Sequence, residues 1–121
     1  MTKIQNSKQY DLEERTLKFA KRVRDFIKNL PKTINNIEDG KQLIRSSGSI
    51  GANYIEANES LSKKDFVVRI KISRKEAKES KYWLSLIDAP NNQTAEKERQ
   101  ELLKEATELT MIFSAIMRKS M

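Results

Sequence analysis

The sequence predicts an all-α fold, an antiparallel up-down four-helix bundle, and three observations carry that reading. Apolar residues recur at steps of three and four along four separate stretches, the spacing that lays one stripe along a helix. Only three glycines and two prolines interrupt the 121 residues, too few turn residues for a strand-rich fold. Charged residues make up 34% of the chain and apolar residues 37%, a balance suited to solvated helices around one narrow core.

Each helix follows from its own stripe. Leu12, Phe19, Ala20, Val23, Phe26, Ile27 and Leu30 predict a first helix over about 10–30, opening at Tyr10 or Asp11 and stopped by Pro31, which cannot continue a helix. Ile37, Ile44, Ile50, Tyr54, Ile55 and Ala57 predict a second over about 35–61. Its middle, Ser46-Ser47-Gly48-Ser49-Ile50-Gly51-Ala52, has the composition of a loop, because each glycine costs a helix about 1 kcal/mol relative to alanine. The alternative is an unbroken helix with Ser47, Gly48, Gly51 and Ala52 on one face, where small side chains admit a neighbouring helix. On that reading Gly48→Leu overpacks the contact.

The third helix is expected over about 63–88, capped by Ser62 with Asp65 three residues on, and striped by Phe66, Ile70, Ala77, Leu84 and Ile87. Asp88-Ala89-Pro90-Asn91-Asn92 ends it. Asn92 or Thr94 can cap a fourth helix over about 94–119, whose stripe is Leu102, Leu103, Ala106, Leu109, Phe113, Ile116 and Met117. Short turns between helices of similar length leave no room for a crossover, so neighbours run antiparallel in a single domain, residues 1–121.

The residue types exclude most active sites. There is no cysteine and no histidine, so thiolate nucleophiles, imidazole bases and the commonest zinc and iron ligands are absent. Glu56, Glu76 and Glu79 invite comparison with di-iron bundles, but those sites require Glu-x-x-His pairs. A polar network around Glu56 with Arg45, Asn53 and Arg69, fixing helix register, is the plainer expectation. No catalytic residue, metal site or cofactor is expected, and the chain reads as a binding protein rather than an enzyme. Its apolar runs are short and the first thirty residues are heavily charged, so a cytoplasmic protein with no membrane partner is expected.

The formal net charge of +7 points to polyanions, and it is unevenly placed. Residues 1–30 and 62–90 each hold eight basic against four acidic side chains, whereas the other two segments are close to neutral. Lys18 and Arg22 on the first helix, and Lys64, Lys71, Arg74, Lys75 and Lys78 on the third, are the candidate phosphate contacts. The alternative is two solvated faces, with pairs such as Asp25–Lys28 and Lys75–Glu79 giving modest helix support. Base readout has little to rest on, since Tyr82 is the one aromatic near the basic positions and Trp83 is expected to pack.

The run Gln42-Leu43-Ile44-Arg45-Ser46-Ser47-Gly48-Ser49-Ile50-Gly51-Ala52-Asn53-Tyr54-Ile55-Glu56-Ala57, followed by Ser62-Lys63-Lys64-Asp65-Phe66 and Glu76-Ala77-Lys78-Glu79-Ser80-Lys81-Tyr82-Trp83-Leu84, closely resembles the bundle proteins encoded by intervening sequences in bacterial 23S ribosomal RNA genes. Arg15-Thr16-Leu17-Lys18-Phe19-Ala20 and the Leu30-Pro31 turn fit the same family. The resemblance implies that the small-residue stretch is helical. Such proteins are also similar to the accessory protein of diversity-generating retroelements, a basic bundle that assembles as a ring of five and binds nucleic acid and a reverse transcriptase. What this implies is a homo-oligomer, suspected to be a pentamer, that binds nucleic acid without sequence specificity, with a partner polypeptide as the rival ligand. Arg45, Ser47, Gly48, Gly51, Asn53 and Glu56 are then the candidate helix-packing and oligomer residues.

Overall fold

The computed structural model describes the backbone of residues 2–89 and 91–121 and the side chains of residues 11–89 and 91–121. Pro90, expected to mark the third turn, lies outside the described residues. Four helices form, α1 (Thr2–Lys28), α2 (Ile34–Asn58), α3 (Lys63–Leu86) and α4 (Gln93–Ser120), with no strand among the described residues. Each helix packs on the next and α4 closes against α1, while the backbones of the diagonal pairs stay apart, which is a square up-down bundle. None of the described helices is long and apolar enough to cross a membrane.

The core is the set of stripes read above. Phe19, Val23, Leu43, Ile50, Ile70, Leu84, Leu102, Leu109 and Phe113 are fully buried, each stabilising the fold by about 1.5–3 kcal/mol of transfer free energy. Tyr54 lies edge-on to Phe113 with ring centroids 5.7 Å apart, joining α2 to α4 across the interior. Burial pushes the Tyr54 hydroxyl pKa up.

Helix boundaries differ from expectation at four places, one of them the end of α3, at Leu86 rather than residue 88. α1 begins at Thr2 rather than near residue 10, because only Ile4 is apolar in its first turns and periodicity gives no signal there. It stops at Lys28, where the Asn29 and Leu30 amides donate to the Phe26 and Ile27 carbonyls in a tighter, three-residue pattern. Pro31 disfavours helical backbone at Leu30, whose side chain turns in to seal the core. α2 ends at Asn58, not Leu61; the amides of Glu59 and Ser60 satisfy its last carbonyls, and Leu61 is fully exposed.

Caps at the other ends are side chains. Thr33 Oγ1 accepts from the Asn36 amide at 3.1 Å, Ser62 Oγ from the Asp65 amide at 3.1 Å, and Asn92 Oδ1 from the Ala95 amide at 3.0 Å. Asn91 holds φ at +59°, left-handed backbone that asparagine tolerates, and so turns the chain into α4. Buried Asn36 is a latch: its amide donates to the Pro31 carbonyl at 3.1 Å and the Asp88 carbonyl at 2.8 Å, and its Oδ1 accepts from the Asp88 amide at 3.0 Å. The α1–α2 turn is thereby bonded to the end of α3.

α2 and α3 form the most extensive interface, and it is lined by small polar residues. The Ser46 and Ser80 hydroxyls meet at 2.9 Å, and Ser73 Oγ donates to the Ile50 carbonyl at 2.9 Å, all fully buried. Short side chains that satisfy one another allow close backbone approach without an orphaned donor. The stretch 46–52 is therefore continuous helix, as the one-face placement of its small residues and the family resemblance suggested.

Candidate functional site

The outward face of α3 carries Lys64, Lys71, Lys75, Lys78 and Tyr82, all exposed, at helical steps that align them along the axis. Arg74 sits beside them, half-buried. Carboxylates on the same helix would cancel such a row, and α2 removes the two nearest. Arg45 Nη2 reaches across to Glu79 Oε1 at 3.0 Å and Glu76 Oε1 at 3.4 Å. Glu76 is buried; Lys75 Nζ adds a second cation 3.8 Å from its other oxygen. Its Oε1 makes no hydrogen bond, so proximity to Arg45 is what compensates a charge taken out of water. With both acids engaged from α2, positive charge dominates the solvent side of α3.

The basic residues of α1 are arranged oppositely. Arg22 makes two bonds to Glu98 of α4, at 3.1 and 3.2 Å, and Arg15 bonds Glu105 at 2.6 and 2.9 Å and Glu108 at 2.7 Å. These hydrogen bonds raise both guanidinium pKa values, against the opposing effect of burial. Arg22 is thus engaged as a helix-to-helix clamp, because α4 presents a glutamate row to α1. Lys18 remains exposed beside this neutralised seam, apart from the α3 row. The expected Asp25–Lys28 and Lys75–Glu79 pairs do not form; Glu79 goes to Arg45 and Lys75 to Glu76.

The proposed packing residues act inside the subunit. An ideal Cβ on Gly51 would lie 2.7 Å from Thr16 Oγ1 and 3.2 Å from Thr16 Cβ, so α1 and α2 touch at that glycine. A Cβ on Gly48 would meet only Arg24 Nη2 at 3.4 Å, the end of a flexible side chain, so the tight position is Gly51 and not Gly48. Ser47 is fully buried and donates to the Ile44 carbonyl at 3.1 Å. Asn53 Oδ1 accepts from Arg69 Nη1 at 3.0 Å, and Glu56 lies 3.9 Å from Arg69 with 62% of its side chain exposed. The single network expected around Glu56 is thus two α2–α3 clusters. Arg45 joins the other one, because eleven residues of helix separate it from Glu56 by about 16 Å.

Between α1 and α2 runs a groove of about 500 Å³ walled by Ala20, Gly48, Gly51 and Ala52, with Leu17 and Ile55 each about half exposed along it. Sequence reasoning missed the pairing of Arg45 with Glu76 and Glu79; the three-residue step between the glutamates, which lets one cation serve both, is the signal that pointed to it. Among the described residues no three acidic side chains are grouped to hold a metal ion.

Residues 8–115 match the family of 23S rRNA-intervening sequence proteins. The chain belongs to that family. A crystal structure of a protein of unknown function from the S23 ribosomal protein family of Bacteroides thetaiotaomicron is 28% identical, with a TM-score of 0.75 over 92% of this chain and 98% of that one. No curated protein matches the sequence. In this member of the intervening-sequence family, the Arg45-to-Glu56 stretch that carried the resemblance is the segment of α2 that packs on both α1 and α3.

Proposed function

We propose that this protein is a non-catalytic, cytoplasmic, homo-oligomeric bundle that binds RNA or DNA through the outer face of α3, without reading sequence. The observation that carries the reading is the asymmetry of charge pairing. Arg45 engages Glu76 and Glu79, of which only Glu76 also meets a member of the lysine row of α3, Lys75, whereas Glu98, Glu105 and Glu108 occupy Arg15 and Arg22 of α1. Lys64, Lys71, Lys75 and Lys78 are spaced along one exposed line, and each phosphate they neutralise releases counterions, which makes affinity steeply salt-dependent.

The apolar groove flanked by Leu17 and Ile55 supports self-association, and five copies is the number to test. Sedimentation of the purified protein beside Leu17→Glu/Ile55→Glu reads this directly: an oligomer that the double variant dissociates supports the reading, and a monomer at all concentrations refutes it. For nucleic acid, filter binding to a structured RNA across a salt series is the test. Lys71→Glu/Lys78→Glu is expected to weaken binding to every sequence alike and to lower the slope of log affinity against log salt by about two. Capture of a partner polypeptide that survives nuclease, with no salt-dependent nucleic-acid binding, would replace this reading with that of a protein scaffold.

A further inference from the structure

The lysine row of α3 ends in an exposed aromatic ring. Tyr82 is 59% exposed, and among the described residues its hydroxyl makes no hydrogen bond. It stands four residues beyond Lys78, hence one turn further along the same face. Arg74, Lys75, Lys78, Glu79 and Tyr82 together line a surface depression of about 340 Å³, and the one acid in it is already held by Arg45.

The ring is also held in place. Trp83, partly buried against the core, meets Tyr82 edge to face with centroids 5.1 Å apart and planes inclined at 74°. Such a T-shaped contact fixes orientation while leaving at least one face of the tyrosine uncovered by its neighbour. A flat, uncovered π-face at the end of a line of cations is the arrangement that receives a base whose phosphates lie on those cations.

We propose that α3 selects single-stranded nucleic acid, its phosphates on Lys71, Lys75 and Lys78 and one unpaired base stacked on Tyr82. The proposal rests on the nucleic-acid reading above and adds the class of strand. In a duplex the base faces are buried in the stack and only edges and phosphates are offered, so Tyr82 contributes nothing to duplex binding. Stacking is indifferent to base identity because every base has a π-face, which agrees with binding that ignores sequence.

The test measures affinity of the full chain for a labelled single strand, as RNA and as DNA, and for its annealed duplex, at one low salt concentration. Four proteins are compared: the parent, Tyr82→Ala, Tyr82→Phe and Lys71→Glu/Lys78→Glu. A strand containing 2-aminopurine reports stacking directly through its fluorescence. Tyr82→Ala is expected to weaken single-strand binding roughly five- to a hundredfold, leave duplex binding unchanged and abolish the 2-aminopurine quenching. Tyr82→Phe, which keeps the ring, is expected to match the parent in all three. If Tyr82→Ala changes neither substrate, or both equally, while the lysine reversal weakens both, the stacking proposal is overturned and the phosphate-binding reading stands. If neither substrate binds the parent, both fall.

Discussion

Gly48 and Gly51 stand one turn apart on α2, yet one is replaceable and the other is not. Thr16, which faces Gly51, is fully buried with its hydroxyl donating to the Leu12 and Glu13 carbonyls at 3.0 Å each, so it has nowhere to swing. Gly51→Ala is expected to destabilise by about 1–3 kcal/mol through overpacking, and Thr16→Ala in the same chain to restore most of the loss. Gly48→Ala, whose new methyl meets only the tip of Arg24, is expected to stabilise by about 0.5–1 kcal/mol from helix propensity. Denaturant unfolding of the four proteins checks the pattern. Arg45→Met leaves buried Glu76 without its principal cation and is expected to cost about 1–3 kcal/mol, an effect that Glu76→Gln added to it should reduce.

At the scale of elements, two polar devices hold the helix ends together. Asn36 makes three hydrogen bonds linking the turn after α1 to Asp88, so Asn36→Ala is expected to lower stability by about 2–3 kcal/mol, measured by thermal unfolding. At the start of α4, Arg99 donates to the Leu84 carbonyl at 3.1 Å, tying down the last turn of α3, while Glu96 accepts from Arg99 at 2.8 and 2.9 Å and from Gln100 at 2.8 Å. The Arg99 hydrogen bond, helped by Gln100, pulls the Glu96 carboxyl pKa from 4.5 down to about 2. Because the folded value lies below the unfolded one, this contribution is complete above about pH 4.5 and is lost as pH falls toward 2. Glu96→Gln should lower stability at neutral pH, leave it nearly unaffected near pH 2, and so flatten the acid limb of a stability–pH profile in that window. The four stripes, the Ser62 and Asn92 caps and the core were all legible, because burial imposes a period on sequence. Partners of Arg45, Arg22 and Asn36 were not, since they are set by the register between helices distant in sequence. The first turns of α1 escaped because residues 2–9 hold a single apolar side chain.

Over the whole molecule the arginines Arg15 and Arg22 of α1 are paired along a seam with α4, while exposed cations remain on the outer faces of α3 and, at Lys18, Lys21 and Lys28, of α1. Counting residues located the excess on the first and third helices; only the packing revealed that α4 pairs with Arg15 and Arg22 of α1, whereas Arg45 of α2 engages Glu76 and Glu79 of α3 and, among the described residues, Lys64, Lys71 and Lys78 stay exposed without an ion pair. A bulk electrostatic effect and a dedicated surface differ in where a charge change matters. The most direct test is the affinity for a structured RNA, over a salt series, of two charge-matched variants: Lys71→Glu/Lys78→Glu on α3 and Lys21→Glu/Lys28→Glu on α1. The expected result is a loss of affinity and a shallower salt slope for the α3 variant alone. Equal losses from both variants, or none from either, would contradict a binding face on α3.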